Sequence, residues 1–367
     1  MNQRMIKGRG AQLNPKNRFE KLSIEEIDDE RLFYDDDFPP INKINNIYYK
    51  DDSKSVIAKN DSYDVGFDYS FNPYRGCEHG CIYCYARPNH EYLGFSSGID
   101  FETKIMVKEN APALLEKEFK KKSYKPDLIM FSGNTDCYQP IERKLKLTRE
   151  SLKVCLKYRN PVSVITKNAL IQRDIDVIKQ LAELNLVNVT LSITTLDANL
   201  AHKMEPRTSS PEMRLKTVEV MAKNNIPIGV NIAPIIPGLN DKEIPMILKE
   251  SAACGASYAG KIMLRLPYSV KELFLEWLER EFPDKAKKIT NSIRAVRGGK
   301  LNSSERGIRF KGEGEIAEAI HKLFHMSCKK YGLNAGRSNL SAIKFIRNDS
   351  PQLEIFNWNN LFADSTI

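Results

Sequence analysis

Three cysteines lie close together in the stretch Arg75-Gly76-Cys77-Glu78-His79-Gly80-Cys81-Ile82-Tyr83-Cys84-Tyr85-Ala86-Arg87-Pro88, at the spacing C-x3-C-x2-C. Cysteine thiolates hold iron–sulfur clusters, and electron-transfer clusters normally fill all four positions. Cys77, Cys81 and Cys84 can close on three corners of a cubane, and no fourth cysteine is near in sequence. One iron would stay open, which is the pattern of a cluster that binds something. The other chemistry open to these residues is zinc, which takes four N or S ligands. Only Cys81 and Cys84 form the C-x2-C pair common in such sites, and His79 or His90 would have to complete the set.

Such a loop needs a scaffold, and the chain supplies alternating elements. Short β-prone runs are read at 67–71, 127–132, 162–166, 187–193, 226–232 and 261–266. Helical spacing is read at 114–122, 148–159, 171–184, 211–223, 243–253, 270–282 and 315–331, with Pro211 at a first-turn position. Strands alternating with helices imply βαβ units and a parallel sheet. Parallel barrels carry their chemistry at the C-terminal ends of the strands. The loops after the six strands are therefore where partners of the cysteine loop are sought.

The cysteine motif, with the aromatic Tyr83 just before its third cysteine, resembles the signature of the radical S-adenosylmethionine (SAM) superfamily. Lys7-Gly8-Arg9-Gly10, Asn14-Pro15 and Arg18-Phe19-Glu20 are similar to the start of a bacterial branch grouped with the spore photoproduct lyases, which are described as DNA repair photolyase-like. The resemblance implies an α/β fold, a partial (β/α)6 TIM-type barrel with N- and C-terminal extensions. It implies a [4Fe-4S] cluster held by Cys77, Cys81 and Cys84, with SAM on the open iron. It also implies an electron donor such as flavodoxin or ferredoxin, and chemistry of the lyase or DNA-repair type.

The same resemblance assigns roles at the strand ends. Gly133, Asn134 and Thr135 match the positions that meet SAM's amino group, although the family's usual Gly-Gly-Glu form is absent; a plain turn is the other reading. Lys167 is placed to pair with SAM's carboxylate, a charge-assisted contact. Ser192 and Thr194 would reach the ribose hydroxyls, Arg207 would anchor a carboxylate or phosphate, and Tyr83 would pack on adenine. The loop from Pro234 to Asn240 looks like the superfamily's adenine wall, whereas Arg265 has no assigned role. Spore photoproduct lyases use a cysteine near a similar strand end as hydrogen donor, with tyrosines flanking the third cluster cysteine. Tyr83 and Tyr85 match those tyrosines. Cys137 lies one residue past Asp136 rather than at the equivalent step, and is either a radical-quenching thiol or a small buried one.

Composition bounds the rest. The chain has 367 residues and 41% hydrophobic content, enough for one large barrel with extensions. No apolar run of membrane-spanning length exists, and the first residues lack the apolar core of a secretion signal. Seven cysteines, three clustered and four scattered, do not form a disulfide framework. A reducing, cytoplasmic compartment is expected. Residues 261–350 hold 19 Lys/Arg against 10 Asp/Glu, so the whole formal excess of +9 lies there. That points to a polyanion such as DNA, or to a solvated basic face. The expected organisation is an extension at 1–60 with a flexible basic arm at 7–11, the barrel at 61–285, a basic C-terminal element at 286–345 whose stretch 289–311 is read as loop-rich and covering the barrel mouth, and a tail at 346–367. His321, His325 and Cys328 share one face of the last helix, read as a half-buried face rather than a metal site. Gln352-Leu353-Glu354-Ile355-Phe356 in the tail resembles the Q-L-[SD]-L-F pentapeptide that binds the DNA polymerase sliding clamp. The expected function is a radical SAM enzyme, possible on DNA. The alternatives are an iron–sulfur accessory protein of DNA metabolism, or a radical SAM enzyme acting on a protein or small molecule.

Overall fold

Short β-branched and aromatic runs separated by amphipathic helices fold as the parallel sheet that such alternation requires. The structure, a computed structural model, describes residues 6–19, 44–336 and 340–347. The acidic clusters at 28–30 and 35–37, Pro39-Pro40 and the clamp-like motif at 352–356 lie outside the described residues.

The strands are β1 (Ile47–Lys50), β2 (Ile57–Lys59), β3 (Tyr69–Phe71), β4 (Tyr74–Arg75), β5 (Lys104–Val107), β6 (Ile129–Phe131), β7 (Val162–Thr166), β8 (Val187–Ser192), β9 (Ile228–Ile235) and β10 (Tyr258–Met263). The helices are α1 (Ile99–Thr103), α2 (Ala111–Lys120), α3 (Glu142–Leu145), α4 (Leu147–Tyr158), α5 (Ile175–Glu183), α6 (Ala198–Met204), α7 (Pro211–Lys223), α8 (Ile244–Ala253), α9 (Val270–Glu281), α10 (Pro283–Ala295) and α11 (Gly314–Lys330). The main sheet runs β2-β3-β6-β7-β8-β9-β10. From β3 to β10 every pairing is parallel, and β2 is added antiparallel at the β3 edge. The alternation predicted this parallel sheet, and its six parallel strands are those of the partial (β/α)6 barrel that the resemblance implies. β1 and β4 flank β5 in a small separate sheet.

Local sequence explains the element boundaries. Ser210 caps α7 by accepting from the Met213 amide, and Pro211 fills the first turn, where its missing N–H is not needed. The sixth barrel strand starts at Tyr258, three residues earlier than expected. Tyr258-Ala259-Gly260 reads as irregular, but it pairs with Gly229-Val230-Asn231. A Cβ on Gly229 would lie 2.2 Å from the Tyr258 ring, so glycine makes that pairing possible. The chain then leaves the sheet, and residues 264–266 turn across its end. The stretch at 289–311 is not all loop, because its first residues complete α10, which Pro283 opens.

Among the described residues, the two largest of four apolar clusters hold most of the core. The larger packs the sheet against α2, α4, α5, α7, α8 and α11. The smaller joins Ala11, Ile82 and Tyr83 to Leu266, Phe274 and Trp277. The arm expected at 7–11 is thus tied down at its end: Arg9 and Ala11 are buried, and Arg9 donates to the carbonyls of Glu102 and Ile44 at 3.0 and 2.9 Å. Among the described residues no helix is long and apolar enough to cross a membrane.

Candidate active site

The cysteine loop begins where β4 ends. Gly76 and Gly80 hold φ values of 77° and 67°, backbone that L side chains rarely adopt, and so let the loop double back. Arg87 fastens it from within. Its Nε donates to the Cys81 carbonyl at 3.0 Å, and its Nη1 to the carbonyls of Ser97 and Gly98 at 3.1 and 2.9 Å. Its Nη2 meets the Glu102 carboxylate at 2.5 Å, both side chains being fully buried. Glu102 also accepts from the amides of Gly10 and Ala11, at 3.1 and 2.8 Å. The N-terminal strap is pressed so close that a Cβ at Gly10 would lie 1.8 Å from the Gly80 carbonyl oxygen.

Cys77, Cys81 and Cys84 are free thiols lining one cavity of about 770 Å³ at the C-terminal end of the sheet. Burial pushes all three thiols above their ordinary pKa, and the charge of Asp136 adds to this at Cys77 and that of Glu205 at Cys81. Thiolates are costly there until a bound cation offsets them, because coordination deprotonates a thiol outright. The three thiols therefore fit a cubane cluster, whose thiolate ligands sit on different irons. Among the described residues no three His, Cys, Asp or Glu side chains are grouped as a single zinc ion would require. The histidines it needed are engaged elsewhere. His79 Nδ1 lies 3.3 Å from Asp136, its Nε2 lies 3.1 Å from the Asn168 amide, and His90 packs against Phe95 and Phe101.

The strand ends bring most of the expected partners to the same space. Gly133, Asn134 and Thr135, after β6, line the cavity. The Asn72 carboxamide oxygen holds this turn by accepting from the amides of Asn134 and Thr135 at 2.9 and 3.3 Å. Thr135 turns its hydroxyl to the Tyr74 carbonyl at 2.8 Å. Lys167 follows β7, with Nζ donating to the Ala233 carbonyl at 3.4 Å and lying 3.9 Å from Glu205. Burial lowers the pKa of this ammonium group. Ser192 lines the cavity at the end of β8. The side-chain oxygen of Asn231, on β9, is buried at the cavity without a hydrogen-bond partner, an acceptor that a ligand donor would satisfy. Ala233 and Pro234 line the cavity, while Ile235 and Ile236 turn into the core. Only the first part of the proline loop therefore forms a wall.

Glu205 is a buried hub that the sequence did not single out. It pairs with Arg214 and accepts from the Tyr83 hydroxyl and, at 2.6 Å, from Thr194. Tyr83 lines the cavity with its hydroxyl held in this way. Thr194 is buried behind the cavity, so its hydroxyl does not face a ribose there. Arg207 also lies off the cavity lining, 3.8 Å from Glu78. Cys137 is fully buried in the larger apolar cluster, with its amide on Ser132 and its carbonyl on Thr148. Burial first, and then Asp136, pushes its thiol well up. It is a core thiol rather than a hydrogen donor at the cavity. Tyr85 does face the cavity and donates to the Gly133 carbonyl at 2.8 Å. On α11, His325 Nε2 lies 3.4 Å from Lys261 and Cys328 packs into the core, the half-buried face expected.

Sequence reasoning also passed over Asp136, which binds the Thr166 hydroxyl at 2.8 Å and the Lys167 amide at 2.9 Å. Burial works to raise its carboxyl, but His79 and the amides outweigh this and hold it low. An aspartate inside a strand-end turn, two residues before a buried tyrosine, was the available signal.

Known proteins share this arrangement. The Radical SAM superfamily domain matches residues 71–250. An uncharacterized protein of Mycobacterium tuberculosis is 34% identical over 220 residues, which cover 59% of this chain and 65% of that protein. An uncharacterized protein of Methanocaldococcus jannaschii is 33% identical over 226 residues, covering 62% of this chain and 81% of that one. The match thus spans slightly less than two thirds of the mycobacterial relative's length. Among solved structures, spore photoproduct lyase complexed with dinucleoside spore photoproduct superposes with a TM-score of 0.54 at 17% identity, covering 75% of this chain and 78% of the other. A mutant of that enzyme with bound AdoMet and the same dinucleoside gives 0.55 at 15% identity, covering 78% and 80%. At such identity these two show a shared fold. With the domain running from the end of β3 into α8 and the archaeal relative matched over most of its length, the chain belongs to the radical SAM superfamily, whose members use a [4Fe-4S] cluster and S-adenosyl-L-methionine.

Proposed function

We propose that this protein is a radical SAM enzyme whose substrate is DNA, presented to the cavity one nucleotide at a time. One observation carries the reading: the cavity that holds the three cysteines is also lined by guanidinium groups and aromatic rings, among them Arg18, Arg265, Arg309, Tyr268 and Phe310. Positive charge with interleaved aromatics is what a single nucleic-acid strand requires. A cavity of about 770 Å³ admits one small unit beside a cofactor rather than a duplex, as in enzymes that extrude a base. The neighbouring lyase structures carry a dinucleoside lesion, which supports the same substrate class.

Cys77, Cys81 and Cys84 hold the cluster in this reading. Bound there, a reduced cluster would supply the single electron that cleaves the sulfonium carbon–sulfur bond of SAM to methionine and a 5′-deoxyadenosyl radical. The chain's own residues bind and orient. Lys167 offers its ammonium to the carboxylate of SAM, and Gly133, Asn134 and Thr135 form the turn beside its amino group. Asn231 accepts from a ligand hydroxyl or amine. Glu205 fixes the Tyr83 ring through its hydroxyl and stands beside Lys167. Tyr85, tied to Gly133, closes the side of the cavity next to Cys84. A flavodoxin- or ferredoxin-type protein is the electron donor.

Anaerobic reconstitution followed by dithionite reduction tests this. About four irons per chain are expected, with 5′-deoxyadenosine formed from SAM, and Cys81→Ala abolishes both. Deuterium transfer into 5′-deoxyadenosine from labelled damaged DNA tests the substrate. A fully loaded cluster that cleaves no SAM would refute the enzyme, and label arriving only from peptide or small-molecule substrates would refute the DNA assignment.

A further inference from the structure

Most cations around the cavity are committed. Arg18 pairs with Glu91, Arg309 with Asp64, and Lys167 stands beside Glu205. Lys59 is exposed at the rim. Arg265 differs: it lines the cavity, is partly buried, and has no carboxylate partner among the described residues. Its Nε is buried without a hydrogen-bond partner. The guanidinium carbon lies 4.9 Å from the centre of the Phe310 ring and 5.6 Å from that of Tyr85. Aromatic faces attract a guanidinium, but they leave its in-plane N–H donors unsatisfied.

The backbone around Arg265 is fixed on both sides. The Leu264 amide donates to the Ile235 carbonyl at 2.9 Å, and the Leu266 amide to the Asn302 side chain at 3.0 Å. The buried Arg297 holds the carbonyls of Met263 and Leu264. An exposed arginine would search many rotamers, whereas this one is held between two rings on a clamped strand exit. A planar fork with free donors, pre-set in a cavity, matches the oxygens of a phosphate or carboxylate. Tyr85 adjoins Cys84 in the chain, so Arg265 stands one side chain from the cysteine loop.

We infer that Arg265 anchors an anionic group of the substrate, and that this group is a nucleotide phosphate whose base lies against the neighbouring aromatic rings. The nucleotide identity rests on the DNA reading above. The need for an anion rests on Arg265's own surroundings. Phosphate is favoured over carboxylate because the rings beside the guanidinium offer planar faces to a base, and because the chain's net positive charge lies in the segment that contains Arg265.

The test uses the reconstituted holoenzyme with SAM. Fluorescence anisotropy is read with a labelled single-stranded thymidine oligonucleotide, with thymidine 5′-monophosphate, thymidine and an acidic peptide as competitors. Arg265→Gln is expected to weaken oligonucleotide binding at least tenfold. It should also remove the advantage of the monophosphate over thymidine, and Arg265→Lys should recover only part of the loss. If Arg265→Gln does not fold, Arg265→Lys carries the test, because loss of the planar fork must still weaken binding about threefold. Unchanged affinity in the variants, or equal competition by thymidine and its monophosphate against the unsubstituted protein, overturns the anchor. Competition by the acidic peptide alone overturns the nucleotide assignment. SAM cleavage by the unsubstituted protein is scored separately, so failure of the enzyme reading is distinguishable from failure of the anchor.

Discussion

The two sides of the cavity use charge in opposite ways. Behind the cysteines, charges are buried in closed pairs: Arg87 with Glu102 and Arg214 with Glu205, all four side chains almost inaccessible. Elsewhere on the cavity lining, Arg265 has rings and, among the described residues, no carboxylate partner, while Arg309 pairs with Asp64. A buried pair gives little net stability, because desolvation consumes much of the attraction, but breaking one is severe. The closed side is therefore built to hold a loop in one shape, and the open side to receive an external charge. On the function proposed above, that difference separates the residues that would hold the cofactor from those that would meet the substrate.

The strongest way to break the comparison is at Glu102. Glu102→Gln keeps the size of the side chain and leaves Arg87 buried without its counter-charge. A loss of about 3–5 kcal/mol is expected, as for other half-removed buried pairs. Because Arg87 also holds the Cys81 carbonyl, iron content should fall with stability. Denaturant unfolding under argon and iron analysis measure the two. Adding Arg87→Met should restore part of the stability, as it removes the stranded charge. A change below about 1 kcal/mol would mean that the closed side is not held by its pairs.

A second prediction sharpens the comparison through pH. Burial against Phe95 and Phe101 pushes His90 down to about 4. An unfolded histidine titrates near 6.5, so the unfolded chain takes up the proton first as pH falls. The stability from keeping His90 neutral is complete above about 6.5 and is lost progressively as pH falls towards 4. The gap corresponds to about 3 kcal/mol at most. The open side has no histidine among its cavity residues and should add no slope in that window. Urea midpoints at pH 7 and 4.5 should therefore differ less in His90→Leu than in the unsubstituted protein. Equal differences would remove His90 from the account.

Much of this was legible in the sequence. Periodicity located the six strands of the parallel sheet, because most are short apolar runs between polar turns. The cysteine spacing marked the loop, and Gly133, Lys167 and Ser192 reach its cavity because strand ends converge in a parallel sheet. What stayed hidden depends on long-range pairing. Tyr258-Ala259-Gly260 is a strand only because Gly229 leaves room for the tyrosine ring. Arg9, Gly10 and Ala11 read as a loose basic arm until Glu102, some ninety residues on, supplies their partner. Cys137 lay one step from a plausible role, but the turn after β6 buries its thiol among core side chains. Arg265 carried no motif, since its meaning comes from the absence of a partner, which sequence cannot display.

The smallest expected effect tests whether the open side is uncommitted throughout. Asp64, in the turn between β2 and β3, accepts from Arg309 Nε at 2.8 Å and from the Gly307 amide at 3.1 Å. The hydrogen bond from Arg309 holds its carboxyl below the ordinary value. Its stabilising contribution is thus present above the unfolded value near 3.9 and disappears as pH falls through the lower folded value. Both side chains are mostly covered, but the carboxamide of Asn keeps the acceptor oxygen, so Asp64→Asn should cost less stability than Glu102→Gln, whose pair is fully buried. The same substitution frees the Arg309 guanidinium beside the Phe310 ring, which also flanks Arg265. If the open side exists to meet an anion, a second free fork there should tighten oligonucleotide binding about two- to fivefold, the equivalent of an exposed ion pair. Weaker binding in Asp64→Asn would show that Arg309 serves through its tie to Asp64. The open side would then be as internally committed as the cysteine side, and Arg265 would stand alone as its receptive charge.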